Sequence, residues 1–161
     1  MAAEINSYLT FKLKEESFGL NVAKVMEIKE YKKPRPMPQS LSFVTGVTEY
    51  NDEIIPIIDA GLKFGMDPVE ITLSTCTIIL QLVSNTHGKT YRVAILVDTV
   101  SDVFESGEED IKPISDDYSP EYIAGTYTYE DKFVYILNAD NIFNQKEVIH
   151  ILDILDKTGK K

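Results

Sequence analysis

The chain lacks most of the residues from which reactive and metal-binding sites are built. It has one cysteine, Cys76, so no internal disulfide can form and no cysteine pair is available for zinc. Its two histidines, His87 and His150, fall in different predicted elements and show no metal-ligand spacing. Walker A, GxGxxG and GxSxG sequences are also absent. The sequence therefore argues against an enzyme, and no metal or cofactor is expected.

Positive charge and long apolar runs are scarce as well. Sixteen lysines and arginines stand against 26 acidic residues, which gives a net charge of −10. This balance disfavours nucleic acid and anionic membranes as partners, because phosphate binding needs clustered cations. No apolar run could span a bilayer, and the N-terminus has neither the basic nor the apolar region of a secretory signal. We expect a cytoplasmic protein without direct membrane insertion.

The chain does contain a succession of short strand patterns. Apolar and polar residues alternate over residues 9–13, as in a half-buried strand. Hairpin-type turn residues recur at 51–52, 85–89 and 130–132. A spacing of three and four residues begins only at Ile142 and predicts a C-terminal helix over residues 144–157. The sequence thus predicts one all-β domain over residues 8–155, built of small barrels and closed by a helix.

Some segments are ambiguous or interrupted. Residues 22–28 fit either a strand or one helical turn. Alternating prolines make residues 33–38 an extended connector rather than an inner strand. Pro56 predicts that the strand over residues 53–59 lies at a sheet edge or contains a bulge. Residues 105–110 are expected to form an acidic loop.

Several carboxylates fall close together from Asp98 to Asp110, including Asp102 and Glu108. Paired carboxylates can act as general acid and base, so a small carboxylate-dependent hydrolase is one alternative function. The spacing does not match an EF-hand loop. A solvated acidic loop is the interpretation that such a charge run favours.

Five stretches of the chain, in order, resemble the CheW family of bacterial chemotaxis coupling proteins. They are YLTFKLKEESFGLNVAKVMEI, FVTGVTEYNDEIIPIIDAGLKFG, TCTIILQL, VAILVDTVSDV and YIAGTYTYEDKFVYILNADNIF. The resemblance implies two intertwined five-stranded SH3-like β-barrels. One would span about residues 15–85, and the other would combine the N-terminal strand with about residues 86–143.

The resemblance also implies the function. It predicts a non-enzymatic adaptor that couples the regulatory domain of a CheA-type histidine kinase to the cytoplasmic tip of chemoreceptors. Such a protein is expected to be monomeric when free and to be recruited to membrane-associated receptor arrays. A CheV-like or kinase-derived regulatory module is the alternative within the same group. The absence of a receiver-domain pattern argues against an intact CheV.

Position by position, the resemblance implies a protein-binding surface. Its predicted residues are Val22, Val25, Glu27, Ile28, Gly46, Glu49, Asn51, Asp52, Ile54, Val97 and Val100. For each apolar residue the alternative is an ordinary position in the barrel core. Gly46 is expected where two backbone segments approach closely.

The chain departs from the family pattern in the turn before residues 53–59. Where the family has V-x-N-x-R-G, the positions of Asn, Arg and Gly hold Glu49, Asn51 and Asp52. Asn and Asp tolerate left-handed backbone conformations, so the turn is expected to persist. Its charge changes from positive to negative, close to where Glu27 is expected to lie. We therefore expect altered partner choice on an unaltered fold.

Overall fold

The computed structural model describes residues 5–37, 41–84, 88–114 and 121–159. The strands in these residues are β1 (Ile5–Leu13), β2 (Glu16–Asn21), β3 (Val25–Glu30), β4 (Val44–Tyr50), β5 (Glu53–Asp59), β6 (Cys76–Ser84), β7 (Lys89–Val97), β8 (Thr99–Gly107), β9 (Ile123–Tyr129) and β10 (Lys132–Leu137). The helices are α1 (Ala60–Lys63) and α2 (Gln145–Gly159). Sheet I has the order β3-β6-β7-β5-β4, and sheet II has the order β8-β1-β2-β10-β9. This confirms the predicted all-β fold of two five-stranded units with a C-terminal helix.

The two sheets share one topology, although the chain enters them at different points. Sheet I uses β3 to β7 in chain order, whereas sheet II begins with β8, β9 and β10 and is completed by the N-terminal strands β1 and β2. Numbered this way, both sheets have the order first-fourth-fifth-third-second. Each contains one parallel pair, β5 with β7 and β2 with β10. The N-terminal hairpin therefore completes a sheet whose other strands come from the C-terminal half, so the two units are intertwined.

Sheet I takes its strands from residues 25–97, whereas the sequence placed that subdomain at about residues 15–85. Consequently β2 and β7 each lie in the sheet other than the one assigned to them from the sequence. Asp98 marks the crossover between the sheets. Its backbone N–H donates to the Lys12 carbonyl at 3.0 Å, and its Oδ2 accepts from the Lys14 backbone N–H at 2.6 Å.

Two of the predicted hairpin turns have the same backbone geometry. Asn51 and Asp52 have φ values of 48° and 64°, and Glu130 and Asp131 have values of 47° and 65°. Two successive positive φ values define the type I′ turn, whose twist matches that of the flanking strands. Of the third predicted turn, at residues 85–89, residues 85–87 lie outside the described residues, but its strands β6 and β7 pair as predicted.

Pro56 does not lie on an edge strand, because β5 runs between β4 and β7. The backbone N–H and C=O of its antiparallel partner Val47 both bond to Arg35, at 2.8 and 3.0 Å. Val47 therefore points its backbone N–H and C=O away from β5. The missing N–H of Pro56 thus leaves no hydrogen-bond acceptor of Val47 without a donor. The pairing of β5 with β7 starts only at Ile57, so an inner strand accommodates the proline.

Three further segments answer or correct the sequence-based expectations. Residues 22–28 contain both predicted alternatives, a single 3₁₀ turn over Val22–Lys24 and then the strand β3. The expected acidic loop is wrong in its first half, because residues 105–107 continue β8 and only Glu108–Asp110 form a 3₁₀ turn. The sequence also missed α1, which begins because buried Asp59 accepts from the Leu62 backbone N–H at 3.0 Å.

Helix α2 is stabilised by a reciprocal cap that the sequence reading did not identify. Asn144 Oδ1 accepts from the Glu147 N–H, and Glu147 Oε1 accepts from the Asn144 N–H, both at 2.9 Å. This is a capping box, which satisfies two backbone donors at the helix start. Ile142 and Phe143, with which the apolar spacing begins, precede the helix and are buried.

The main core lies between the two sheets. One face of β1, with Leu9, Phe11 and Leu13, packs against residues of sheet I such as Ile78 and Ile95. The opposite face of sheet II encloses a smaller cluster of Tyr8, Phe104, Val134 and Ile136. Among the side chains that the structure describes, the large apolar residues of sheet II that remain exposed are Ile5 on β1, Val103 on the edge strand β8 and Phe133 on β10.

Candidate protein-binding surface

The edge strand β3 exposes apolar side chains. Val22, Met26 and Ile28 are 37%, 39% and 43% exposed, whereas Val25 is half-buried against the main core. On its inner side β3 pairs with β6, and it has no strand partner on its outer side within the described residues. The predicted positions Val22, in the 3₁₀ turn before β3, and Ile28, on β3, thus lie on the surface, and Val25 between them anchors the edge to the core.

The edge strand β8 of sheet II repeats this arrangement. The sequence VAKVMEI at residues 22–28 corresponds to VDTVSDV at residues 97–103. In sheet I, Val25 pairs with Leu80 and Ile28 pairs with Ile78. In sheet II, Val100 pairs with Phe11 and Val103 pairs with Leu9, so four residues on the edge strand oppose three on its neighbour in both sheets. Both edges contain a bulge at this point. From the sequence alone these two stretches were not predicted to be a repeat.

The repeat is not equally exposed in its two copies. Val103 is 54% exposed, and Val100 is half-buried against the main core. Val97 is completely buried, because it is the last residue of the inner strand β7. Its predicted place on the binding surface is corrected: Val97 belongs to the core, the alternative that the sequence left open.

Gly46 is buried and supports the surface without forming part of it. A Cβ at this position would overlap the Arg35 carbonyl oxygen, because Arg35 bridges the neighbouring Val47. Gly125 has the same environment in sheet II, where a Cβ would lie 2.6 Å from the Lys112 carbonyl oxygen. The expected close backbone approach at Gly46 is confirmed.

The β4–β5 turn lies beside β3, and two cations, Lys29 and Arg92, pack on Tyr50 at its start. Glu49, Asn51 and Asp52 are exposed, and Ile54 is half-buried. Lys29 Nζ lies 3.9 Å from Glu27 Oε2 and 5.8 Å from the centre of the Tyr50 ring. Glu27 and the turn therefore lie on the same side of sheet I, with Lys29 between them.

Arg92 approaches the same ring from β7. Its Cζ lies 5.9 Å from the Tyr50 ring centre, and its Nη1 lies 3.7 Å from Glu53 Oε1. Arg92 Nε also donates to Gln81 Oε1 at 3.3 Å. Tyr50 is thus covered by two cations, each of which is paired with a carboxylate.

The 3₁₀ turn that carries Val22 is tied to the C-terminal part of the chain. Lys24 Nζ lies 2.8 Å from Asp140 Oδ2, and Asp140 Oδ1 accepts from the Val83 N–H at 2.9 Å. Burial, reinforced by the charge of Asp140, raises the pKa of Tyr91 to about 12. Asp140 therefore links β6, the Val22–Lys24 turn and the segment before α2.

The carboxylates considered for catalysis have structural contacts. Asp98 binds the β1–β2 turn, and Asp102 Oδ2 lies 3.6 Å from Lys132 Nζ. Over residues 5–37, 41–84, 88–114 and 121–159, no three His, Cys, Asp or Glu side chains are placed to hold a metal ion. His150 is exposed on α2, and His87 lies outside the described residues.

Among the helices that the structure describes, none combines the length and apolar character needed to cross a membrane.

Comparison with known proteins assigns the chain to a family, because the CheW-like domain matches residues 7–147. The chain is a member of the CheW family. The chemotaxis protein CheW of Rhizobium meliloti is 28% identical over 142 residues, which cover 86% of this chain and 88% of that protein. CheW of Klebsiella aerogenes is 28% identical over 144 residues, covering 88% and 83%. The predicted family and its role as a chemotaxis coupling adaptor are confirmed.

A solved structure supports the CheW fold. The scaffolding protein TtCheW of Thermoanaerobacter tengcongensis matches with a TM-score of 0.77 at 23% identity, over 89% of this chain and 96% of that one. The chain is also similar to the chemotaxis protein CheV3 of Helicobacter pylori, 27% identical over 135 residues. That match covers 81% of this chain but 42% of CheV3.

The CheW resemblance did not point to Lys29, Tyr50 or Arg92, which hold the turn against β3. A signal for Arg92 was present, since it is a lone cation in the apolar strand sequence YRVAILV. Lys29 follows Glu27 by two residues and so lies on the same face of its strand. No local pattern, however, joins three residues that are separated by 21 and 42 positions in the sequence.

Proposed function

We propose that this chain is a non-enzymatic adaptor that holds the regulatory domain of a chemotaxis histidine kinase to the cytoplasmic tip of chemoreceptors. The observation that carries the proposal is the apolar edge formed by the Val22–Lys24 turn and strand β3, which exposes Val22, Met26 and Ile28 in a chain of the CheW family. The adaptor is monomeric when free, resides in the cytoplasm and is recruited to receptor arrays at the membrane.

The energetics of the edge suit reversible binding. An isoleucine or methionine that is about two-fifths exposed gains on the order of 1–2 kcal/mol when a partner covers it. Ile28 and Met26 together thus supply a useful part of a micromolar affinity, which corresponds to about 8 kcal/mol. The strand is bulged between Val25 and Glu27 and carries charges, which hinders pairing with another sheet edge. A side-chain contact is therefore favoured over strand addition.

The test is the substitution Ile28→Glu, which places a charge in the centre of the apolar edge. Its matched control is Ile149→Glu, because Ile149 is 53% exposed on α2, in another part of the fold. The probes are the purified kinase regulatory domain and a receptor cytoplasmic hairpin from the same genome. We expect Ile28→Glu to weaken binding to at least one probe by tenfold or more, and Ile149→Glu to leave both affinities unchanged.

Calorimetric titration gives the affinities, and circular dichroism establishes that both variants remain folded. A parent chain that binds neither probe would refute the adaptor role. Equal losses in the two variants would refute the assignment of the surface to β3.

A second candidate role is the coupling part of a CheV-like protein, which the match to CheV3 favours. In that case the same surface would act within a longer chain. Immunodetection of the native protein in cell extract separates the two roles, because a CheV-like product would be about twice the mass of this chain, 18.2 kDa.

A further inference from the structure

The Val22–Lys24 turn leads into β3, and an ion pair joins it to a distant part of the chain. Lys24 Nζ donates to both carboxylate oxygens of Asp140, to Oδ1 at 2.9 Å and to Oδ2 at 2.8 Å. The two residues are 116 positions apart in the sequence, and both side chains are half-buried. Hydrogen bonds between two charged groups are shorter and stronger than those between neutral groups. The pair is therefore a strong link between the turn and the segment before α2.

Asp140 is itself held in place by the surrounding structure. Its Oδ1 also accepts from the Val83 backbone N–H on β6, at 2.9 Å. It lies in the 3₁₀ turn Ala139–Asn141, in which Ala139 is buried, and the buried Ile142 follows directly. Asp140 is therefore a fixed point against which the Lys24 side chain is placed.

The turn that carries Val22 is shaped by local bonds and is not buried. The Ala23 N–H donates to Asn21 Oδ1 at 2.9 Å, and the Val25 N–H donates to the Val22 carbonyl. None of the three residues of the turn is buried. Lys24 also borders an open cavity of about 480 Å³, so the turn is not packed on that side. Local bonds thus give the turn its shape, whereas the ion pair fixes its place on the fold.

The second copy of the edge motif has no such pair. Lys24 of VAKVMEI corresponds to Thr99 of VDTVSDV, and Thr99 Oγ1 donates to the neighbouring Val100 carbonyl at 3.4 Å. The first residue of that copy, Val97, is held by burial in the core, whereas the first residue at the β3 edge, Val22, is exposed. Of the two copies, the one with the exposed first residue is therefore the one that has an ion pair to hold it.

We propose that Asp140 is a positioning residue for the binding surface, and that it acts through Lys24 by holding Val22 where a partner contacts it. The inference rests on the proposed function, since it assigns a residue that shapes the same edge. Without the ion pair, the turn adopts its binding arrangement for only a fraction of the time. The apparent affinity falls by that fraction, because the partner binds only the correctly arranged turn.

The first test uses the free protein and the substitution Asp140→Asn, which removes the charge and keeps an oxygen that can accept from the Val83 N–H. Amide hydrogen exchange, measured residue by residue, reports local opening of the turn through the Ala23 and Val25 N–H groups. We expect these two amides to exchange about three- to fivefold faster, since an ion pair near the surface changes an equilibrium by about this factor.

The matched control is Glu147→Gln, which removes another half-buried ion pair, between Glu147 and Lys63 at 3.5 Å, in a different part of the fold. It should leave the exchange of the turn amides unchanged. This control separates the local effect at the β3 edge from a general loss of stability. Circular dichroism establishes that the variants are folded.

The second test measures binding to the kinase regulatory domain and the receptor hairpin. For the probe that responds to Ile28→Glu, Asp140→Asn should weaken binding about three- to fivefold. Lys24→Met removes the same pair from the other side and should weaken binding equally. The double variant should bind no more weakly than either single variant, because both substitutions remove one shared support. Lys24→Arg should retain most of the parent affinity, and Glu147→Gln all of it.

The inference is overturned if the turn amides of Asp140→Asn exchange at the parent rate, or if this variant binds as tightly as the parent. It is also overturned if Glu147→Gln weakens binding as much, or if the losses of Asp140→Asn and Lys24→Met add in the double variant. Each of these results leaves the adaptor role intact as long as Ile28→Glu still disrupts binding. If the parent binds neither probe, the proposed function is refuted, and this inference is refuted with it.

Discussion

Lys63 is the residue whose replacement tests most directly how the C-terminal helix is held. Its Nζ lies 5.4 Å from the ring centre of Phe43, 5.6 Å from that of Tyr122 and 5.9 Å from that of Phe143. It also lies 3.5 Å from Glu147 Oε1 on α2, and its side chain is only 12% exposed. One ammonium group therefore joins α1, the segments before β4 and β9, and α2.

The substitution Lys63→Met removes the charge and keeps an unbranched stem of similar length. A partly desolvated cation surrounded by aromatic rings contributes about 1–2 kcal/mol. The half-buried ion pair with Glu147 adds roughly 1 kcal/mol. Sulfur–aromatic contacts of the new methionine return about 0.5 kcal/mol. We therefore expect a net loss of about 2 kcal/mol in the free energy of unfolding.

Urea denaturation measures this loss in the free energy of unfolding. In thermal unfolding, a loss of about 2 kcal/mol should lower the Tm of a domain of this size by about 4–8 °C. Lys63→Arg keeps the charge and should retain most of the stability. Glu147→Gln keeps an acceptor for the Asn144 N–H, so it isolates the ion pair from the cap. If Lys63→Met is within 0.5 kcal/mol of the parent, the cation makes no net contribution and the reasoning is refuted.

Two further predictions concern the interior. Gly46→Ala should cost about 2–3 kcal/mol by urea denaturation, because its Cβ would displace the Arg35 backbone, and an unchanged midpoint would contradict this. Tyr91→Phe should be as stable as the parent or about 1 kcal/mol more stable at neutral pH, since the buried Tyr91 hydroxyl has no hydrogen bond within the described residues. The folded pKa of Tyr91 is about 12, above the unfolded value of about 10, so the parent loses stability as pH rises from 10 towards 12. In denaturation series over that range, the Tyr91→Phe advantage should widen by on the order of 2 kcal/mol, and a constant difference would contradict the raised pKa.

The elements of the fold that depend on local chemistry were accessible from the sequence. Alternation of apolar residues located β1, because side chains on a strand point to opposite faces in turn. Asn51 and Asp52 located a hairpin, because both tolerate positive φ. The short helix α1 was missed because it depends on Asp59, whose carboxylate also binds the Val69 N–H ten residues later, at 3.1 Å.

The candidate surface was predictable only in part, for the same reason. The resemblance identified the β3 edge, but it also included Val97, which lies in the core although its repeat partner Val22 is exposed. The two copies of the motif look alike as sequence. They differ because Val97 ends an inner strand, whereas Val22 lies in a turn at the edge of its sheet.

By itself, the sequence determined the strands, the I′ turns, the family and the negative charge of the β4–β5 turn, since these depend on residue type and on neighbours a few positions away. Only the tertiary structure decided which sheet each strand joins, because β2 pairs with β10 across more than 110 residues. It also decided the environment of the acidic turn. Lys29 and Arg92 reach Tyr50 from two other strands of the curved sheet I, and contacts of that kind have no local signature.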